Sequence, residues 1–245
     1  MSKEEAEAKV VENFPAEVVG CFEDSKKWNE KVEGYKGIAT AIAAMQPGAD
    51  VIEGVVKFTK MKMKDWKESN INLIKESIAL FTVIAQNCDK LSKRSVWVMM
   101  PFLSDKLGDV KVLNSVSELI LSLSEVVTPK YVASQVIKHA SSAKSPNVLK
   151  ESCNVLLKMT EDFGVLTMPL KDMIDYAIIA VNNSNPQVRQ SAMALFAVIY
   201  KHAGDAVKNF LKDIKESTLK LIEEELAKVT PYKKGEFQRK RNFKG

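Results

Sequence analysis

The chain has 245 residues, 46% hydrophobic and 27% charged, the balance of a folded globular protein rather than a disordered or fibrous one. Ten Gly and eight Pro are few, which argues against a loop-rich β-sandwich and for long uninterrupted elements. The net charge of +5 sits in the stretch from 233 to 245, where Lys233, Lys234, Arg239, Lys240, Arg241 and Lys244 oppose Glu236, so the body balances near zero and lacks the excess of a nucleic-acid-binding domain.

The opening MSKEEAEAKVVENF carries acids where a secretion signal needs a basic and then an apolar stretch, and residues 1–13 read as an N-terminal extension or extra helix. Cys21, Cys88 and Cys153 lie far apart with no CxxC or Cys/His metal spacing, which predicts reduced, buried thiols, no metal and no cofactor. The glycosylation pattern Asn182-Asn183-Ser184 is then a chance match. Apolar residues recur three and four apart nearly everywhere: Ile71, Ile74, Ile78 and Phe81; Val112, Val116, Leu119 and Leu123; Val188, Ala192, Leu195 and Ile199. Breakers at Pro47-Gly48, Gly108, Pro129, Pro146, Gly164, Pro169, Pro186 and Gly204 divide the chain into about twelve helical segments. The longest apolar run, Val96 to Leu103, is far shorter than the roughly 18 residues of a membrane span. The fold class is all-α.

The segments repeat. Asn29, Asn70, Asp109, Ser145 and Asn185 form one column, followed three residues later by Val32, Leu73, Val112, Val148 and Val188, with steps of 41, 39, 36 and 40 residues. Each residue of the column is a preferred helix N-cap, and Pro146 and Pro186 follow theirs at the first helical position, where a missing N–H costs nothing. A period near 40 with two helices per unit predicts a HEAT array: right-handed stacked helical hairpins, six repeats in a flat paddle-like solenoid over residues 14–230. A Lys- and Glu-rich helix from about Asp213 to Lys228 suits a terminal cap, and 231–245 reads as a basic linker or tail.

The turn sequences bear a likeness to a known family. Ser25-Lys26-Lys27-Trp28-Asn29-Glu30-Lys31, Trp66-Lys67-Glu68-Ser69-Asn70, Leu107-Gly108-Asp109-Val110-Lys111 and Asn185-Pro186-Gln187-Val188-Arg189 stand in order at this spacing. Together they resemble a TOG domain, the tubulin-binding module of the microtubule polymerase family and of the CLASP proteins, most like the later, internal TOG domains of polymerase arrays. The resemblance implies that these turns line one edge and bind the αβ-tubulin heterodimer or the microtubule lattice. It implies Trp28 as an aromatic anchor beside Lys27, a second contact at Trp66 and Lys67, and cations at Lys111, Lys150 and Arg189. It also implies a monomeric module within a larger multi-domain protein that promotes microtubule growth and spindle assembly, acting in the cytoplasm at microtubules, centrosomes and spindle poles. The third-turn motif continues Val112-Leu113-Asn114-Ser115 rather than with more basic residues, and Leu113 and Leu149 stand where the fifth unit has Arg189. Fewer edge cations would weaken or redirect tubulin contact.

Read without the resemblance, the polar neighbours of Trp28 favour an exposed indole, those of Trp66 leave edge and core roles open, and Trp97 within Val96-Trp97-Val98-Met99-Met100 is expected in the core. Arg189 suits bracing a neighbouring repeat as well as a contact. His139 and His202 have no metal or catalytic partner in sequence and read as partly exposed helix positions. Phosphate-binding, nucleophile-elbow and zinc-protease motifs are absent, so the chain reads as a binding module and not an enzyme, with no membrane and no specific nucleic acid as partner. Lys233, Lys234, Arg239, Lys240 and Arg241 suit a sequence-indifferent tether to a polyanionic lattice. The alternative is a HEAT scaffold that binds another protein or a peptide along its helical face.

Overall fold

A computed structural model describes residues 1–212 and 214–244. It falls into two compact units, Met1–Leu103 with Asn114–Val127, and Ser104–Leu113 with the chain from Thr128 onward. Among the described residues every regular element is helical.

The first unit holds α1 (Lys3–Asn13), α2 (Ala16–Gly20), α3 (Trp28–Met45), α4 (Ala49–Lys62) and α5 (Ile71–Asn87). α6 (Lys93–Lys106) and α7 (Leu113–Val126) lie mostly in this unit too. α1 is a true helix rather than a frayed end. The Ser2 hydroxyl accepts from the Glu5 N–H, and Ala6 and Val10 are fully buried where α1 packs on α4. The charges match across that contact: Lys9 meets Asp50 at 2.8 Å and Lys62 meets Glu7 at 3.2 Å. The lysine-rich end of α4 is thereby partly neutralised by the acidic opening of the chain.

α3 packs on α5 through stripes at helical spacing, Tyr35, Ile38 and Ile42 on one and Ile74, Ile78 and Phe81 on the other, each removed from water. Such a side chain contributes about 1.5–3 kcal/mol on burial. Lys36 feels the charge of Glu76, and Tyr35 that of Glu68. Glu68 lies just ahead of α5 and Tyr35 in the first half of α3, so the two helices have their starts at the same end, and the offset from Lys36 to Glu76 matches the sequence period near 40. Phe22, after α2, meets Tyr35 and Phe58 edge-on at 4.8 and 5.1 Å and closes the layer beneath the α2–α3 turn.

Trp97 departs from expectation, because its indole is 51% exposed. The buried stripe of α6 is Val96, Met99, Met100 and Leu103, while Arg94, Trp97 and Pro101 fall on the opposite, solvent-facing side. The helical period assigns the face here, and the apolar flanks of Trp97 mislead.

The second unit holds α8 (Pro129–Ala140), α9 (Pro146–Phe163), a 3-10 turn over Val165–Thr167, α10 (Leu170–Val181), α11 (Pro186–Ala203), a 3-10 segment over Gly204–Phe210 and α12 (Glu216–Leu226). First helices meet first helices (α8 with α10) and second helices meet second helices (α9 with α11), as a repeat of helix pairs requires. Leu157 and Glu161 share a wall with Ala197 and Lys201, again 40 residues on, so α9 and α11 also run in register. Cys153 of α9 is fully buried beside Tyr176 of α10, and burial pushes its thiol up to about 12, an inert core residue. The expected terminal helix is α12; its sequence-derived start, Asp213, lies outside the described residues.

The cap column holds in part. Asn70 and Asn185 cap α5 and α11, their side-chain oxygens accepting from the N–H groups of Asn72 and Gln187 at 2.9 Å, and Ser145 precedes α9 without a side-chain bond. Asn29 and Asp109 do not cap helices. α3 begins at Trp28, two residues earlier than a cap at Asn29 would place it, and Glu30 reaches back to the Lys27 N–H; Asp109 forms a turn closed by the Lys111 N–H before α7 starts at Leu113. In the first case a carboxylate further along satisfies the helix start; in the second a short turn intervenes.

Candidate functional site

In the first unit the α2–α3 and α4–α5 turns lie side by side, since α3 and α5 are in register. Trp28 is the first residue of α3 and its indole is 50% exposed, with Lys27 exposed beside it. The Glu30 carboxyl accepts from the Lys27 N–H at 2.9 Å and pairs with Lys26 at 3.2 Å; both contacts hold it below the usual carboxylate range. That clamp fixes the helix start and so the place of the indole. A large apolar side chain held half in water at a helix end is the kind of residue that anchors an interface.

The α4–α5 turn treats its tryptophan differently. Lys64, Asp65 and Trp66 all have positive φ (52°, 53° and 72°), three left-handed residues in a row without a glycine. Each costs on the order of 1 kcal/mol. The bend turns the Trp66 indole inward, stacked on Phe102 at 4.9 Å and edge-on to Phe81 at 6.1 Å, with Nε1 donating to the Val98 carbonyl at 3.1 Å. Trp66 is therefore a brace rather than an exposed contact, and Lys67 beside it stays exposed. Buried Glu68 completes the turn: one carboxylate oxygen accepts from the N–H groups of Ser69 and Asn70 at 2.8 Å each, and the other meets Lys64 at 2.8 Å. Burial opposes its charge, but Lys64 and the two N–H groups outweigh it and lower its pKa.

In the second unit the cations come from three turns. Lys111 is exposed on the turn held by Asp109, and a Cβ on Gly108 would stand 2.8 Å from a Val148 methyl carbon, so this turn presses against the start of α9. Lys150, in the first turns of α9, is half-buried with its ammonium 2.8 Å from Glu151, which cancels much of its charge. Arg189, at the start of α11, is exposed, and its Nη1 donates to the carbonyls of Asn183 and Ser184 at 3.0 and 2.7 Å. It braces its own turn rather than a neighbouring repeat. The structure thus brings Lys27, Trp28 and Lys67 together at one end of the first unit, and Lys111, Lys150 and Arg189 along the helix starts of the second.

The basic segment is docked, not loose. The Asp162 carboxylate, 1% exposed as a residue, meets Lys158 at 2.8 Å and Arg241 at 3.2 Å, with Lys240 at 4.0 Å, and its carbonyl accepts from the N–H groups of Lys240 and Arg241. His202 lies between the rings of Tyr232 and Phe237 at 5.0 and 4.4 Å, Phe243 meets Phe163 at 6.4 Å, and the Tyr232 N–H donates to the Lys201 carbonyl at 2.8 Å. Gly164, at φ 84°, leaves the room that Phe237 fills, since a Cβ there would stand 2.6 Å from the ring. Lys233 and Lys234 remain exposed, while Arg239 lies over the Phe243 ring. The sequence shows the charges of this strap; the aromatic residues among them, Tyr232, Phe237 and Phe243, were the overlooked signal that it packs.

Stacked helix pairs with an aromatic and cationic set at the intra-pair turns define the class, an α-helical repeat module. The profile of the XMAP215/Dis1/CLASP TOG-domain family matches residues 23–226, and the chain belongs to that family. It is 26% identical over 229 residues to Protein MOR1 of Oryza sativa subsp. japonica and 26% identical over 231 residues to Protein mini spindles of Drosophila melanogaster. Each match takes in 93% of this chain but 11% of the relative, so the chain spans about a tenth of their length. Among solved structures, TOG3 of Drosophila melanogaster Mini spindles superposes with a TM-score of 0.81 at 22% identity, covering 93% of this chain and 98% of that one. A TOG domain of C. elegans Zyg9 gives 0.77 at 16% identity over 91% and 85%. These likenesses make the fold that of a TOG domain.

Proposed function

We propose that this chain is a tubulin-binding module of a microtubule-associated protein that promotes microtubule growth at spindles and centrosomes. It binds αβ-tubulin, free or in the lattice, through the turns at the starts of its second helices. Residues 14–230 form the module, with 1–13 as an added helix and 231–245 as its strap. Relatives named for centrosomes, mini spindles and spindle pole bodies, together with family membership, support the setting. The observation that carries the reading is Trp28, held half in water on a clamped helix start amid lysines. Lysine and arginine on turns suit an acidic partner, giving steering and register from a body that is otherwise neutral.

Trp28 supplies the apolar anchor, Lys27, Lys67 and Lys111 the free cations, and Arg189 both a charge and the shape of its turn. Binding of purified αβ-tubulin, read by fluorescence anisotropy, is the test. Trp28→Ala costs about 2 kcal/mol, roughly 30-fold in Kd. Arg189→Glu weakens binding further in low salt than in high. Unchanged affinity in both folded variants removes the turn assignment and favours a scaffold that binds along its helical face.

A further inference from the structure

Three Ser/Thr-Pro pairs occur in the chain, and the structure separates them. Thr128-Pro129 opens α8: the Thr128 hydroxyl accepts from the Tyr131 N–H at 3.2 Å, and Pro129 is buried. Ser145-Pro146 opens α9, so Pro146, Asn147 and Val148 are already helical, with Val148 buried. Thr230-Pro231 lies in irregular backbone after α12, with Thr230 exposed and Lys233 exposed at the third position after it. A proline-directed protein kinase takes its acceptor in extended backbone, needs Pro directly after it, where no N–H has to be satisfied, and in one large branch prefers a basic residue at that third position. Thr128 and Ser145 are extended too, but each leads straight into a helix and has Tyr131 or Val148 at the third position; of the three acceptors, Thr230 stands clear of a helix start and has a basic residue, Lys233, at that position.

We propose that Thr230 is a phosphoacceptor for a proline-directed serine/threonine kinase, and that the phosphate sets the charge of the basic strap. The γ-phosphoryl group of ATP passes to Thr230 Oγ1: the new P–O bond forms as the bond to the β,γ-bridging oxygen breaks, ADP leaves, and the hydroxyl proton goes to the kinase's general base. The position gives the phosphate leverage. Thr230 stands between α12 and the strap, three residues before the first of its six cations, and the strap carries a net +5. A phosphothreonine adds about −1.5 to −2 at pH 7 and so offsets roughly 30–40% of that charge. Arg241 and Lys240 are engaged with Asp162, whereas Lys233 and Lys234 are exposed and stand nearest to Thr230 in sequence. The same groove wall presents Glu225 and Glu236, which the new anion repels, and Lys201, Lys228 and Lys233, which it attracts. Loss of attraction to an acidic lattice is the consequence; this second half rests on the tubulin reading above, the first half does not.

The test treats the whole chain with a purified kinase of this class and ATP, followed by mass spectrometry. Phosphate on Thr230 near one mole per mole, abolished in Thr230→Ala, cut at least tenfold in Lys233→Ala, and below a tenth of that level at Ser145 and Thr128, is the expected result. Incorporation that is absent, unchanged in Thr230→Ala, or equal at Ser145 overturns the acceptor assignment whatever the chain binds. Phosphorylated and unmodified chains are then compared in microtubule co-sedimentation across a salt series. Binding roughly tenfold weaker at low salt, with the gap closing as salt rises, is expected. Equal binding of the two at low salt overturns the charge role, while binding by neither form is a failure of the tubulin reading and leaves the mass-spectrometric result standing.

Discussion

Two turns at one end of the first unit carry nearly the same sequence features and do opposite things. At the α2–α3 turn, Lys26, Lys27 and Trp28 lead straight into a helix, and the indole stands half in water. At the α4–α5 turn, Lys64, Asp65 and Trp66 take three left-handed conformations, and the indole is laid on Phe102 with its N–H satisfied. Polar neighbours do not decide where a tryptophan goes; the backbone does, once a partner surface is within reach. Trp97 makes the same point from the other side, apolar in its neighbours and exposed in the fold.

That contrast can be broken directly. Trp66→Ala leaves a void over Phe102 and removes the indole N–H bond to the Val98 carbonyl, and is expected to cost about 3 kcal/mol in urea denaturation. Trp28→Ala should change stability by no more than about 0.5 kcal/mol, the range of surface substitutions, while carrying the loss of tubulin affinity. A reversal of the two would show that the brace and the anchor have been exchanged. Gly164→Ala comes next, at about 2 kcal/mol, because it must strain a left-handed site and evict the Phe237 ring; faster hydrogen exchange of residues 231–243 is its signature. Glu68→Gln, at about 1 kcal/mol, removes the charge that holds Lys64 and weakens the bonds to Ser69 and Asn70. Since the native pKa of Glu68 is lowered, its contribution is full above the ordinary carboxylate range and is lost as pH falls through the lowered value.

The smallest effect concerns the strap. Burial, then Lys201 and Lys240, depress His202 from 6.5 to about 4, so the docked form resists the proton that a released histidine takes up. Docking is therefore intact above about pH 6.5 and weakens as pH drops toward 4, which the NMR line positions of Phe237 and Phe243 would follow. Insensitivity of those lines over that range would mean that His202 is not enclosed by the strap.

Much of the fold was legible because one period runs through the chain. The 40-residue step recurs in space, where Lys36 feels the charge of Glu76 and where Glu161 and Lys201 line one cavity. The helix starts were less so: the neighbouring carboxylate, Glu30, displaces Asn29 as the group that satisfies α3, and a turn separates Asp109 from α7. Of the site, Trp28, Lys27, Lys67 and Lys111 stand exposed as their neighbours suggest, while Trp66 depends on Phe102, far along the chain, and on backbone signs that no composition reports. Lys150 is muted by the adjacent Glu151. The strap needed tertiary partners, Asp162, His202 and Gly164, that local sequence around residue 235 does not contain.

Hydrogen exchange of the chain with and without αβ-tubulin separates binding by the turns from binding along a helical face. Slowed exchange is expected at the turn amides around residues 27–31, 64–70, 106–113 and 183–189, with the outward faces of the helices unchanged. Protection confined to a helical face such as that around Trp97, with the turns exchanging as before, would contradict binding by the turns.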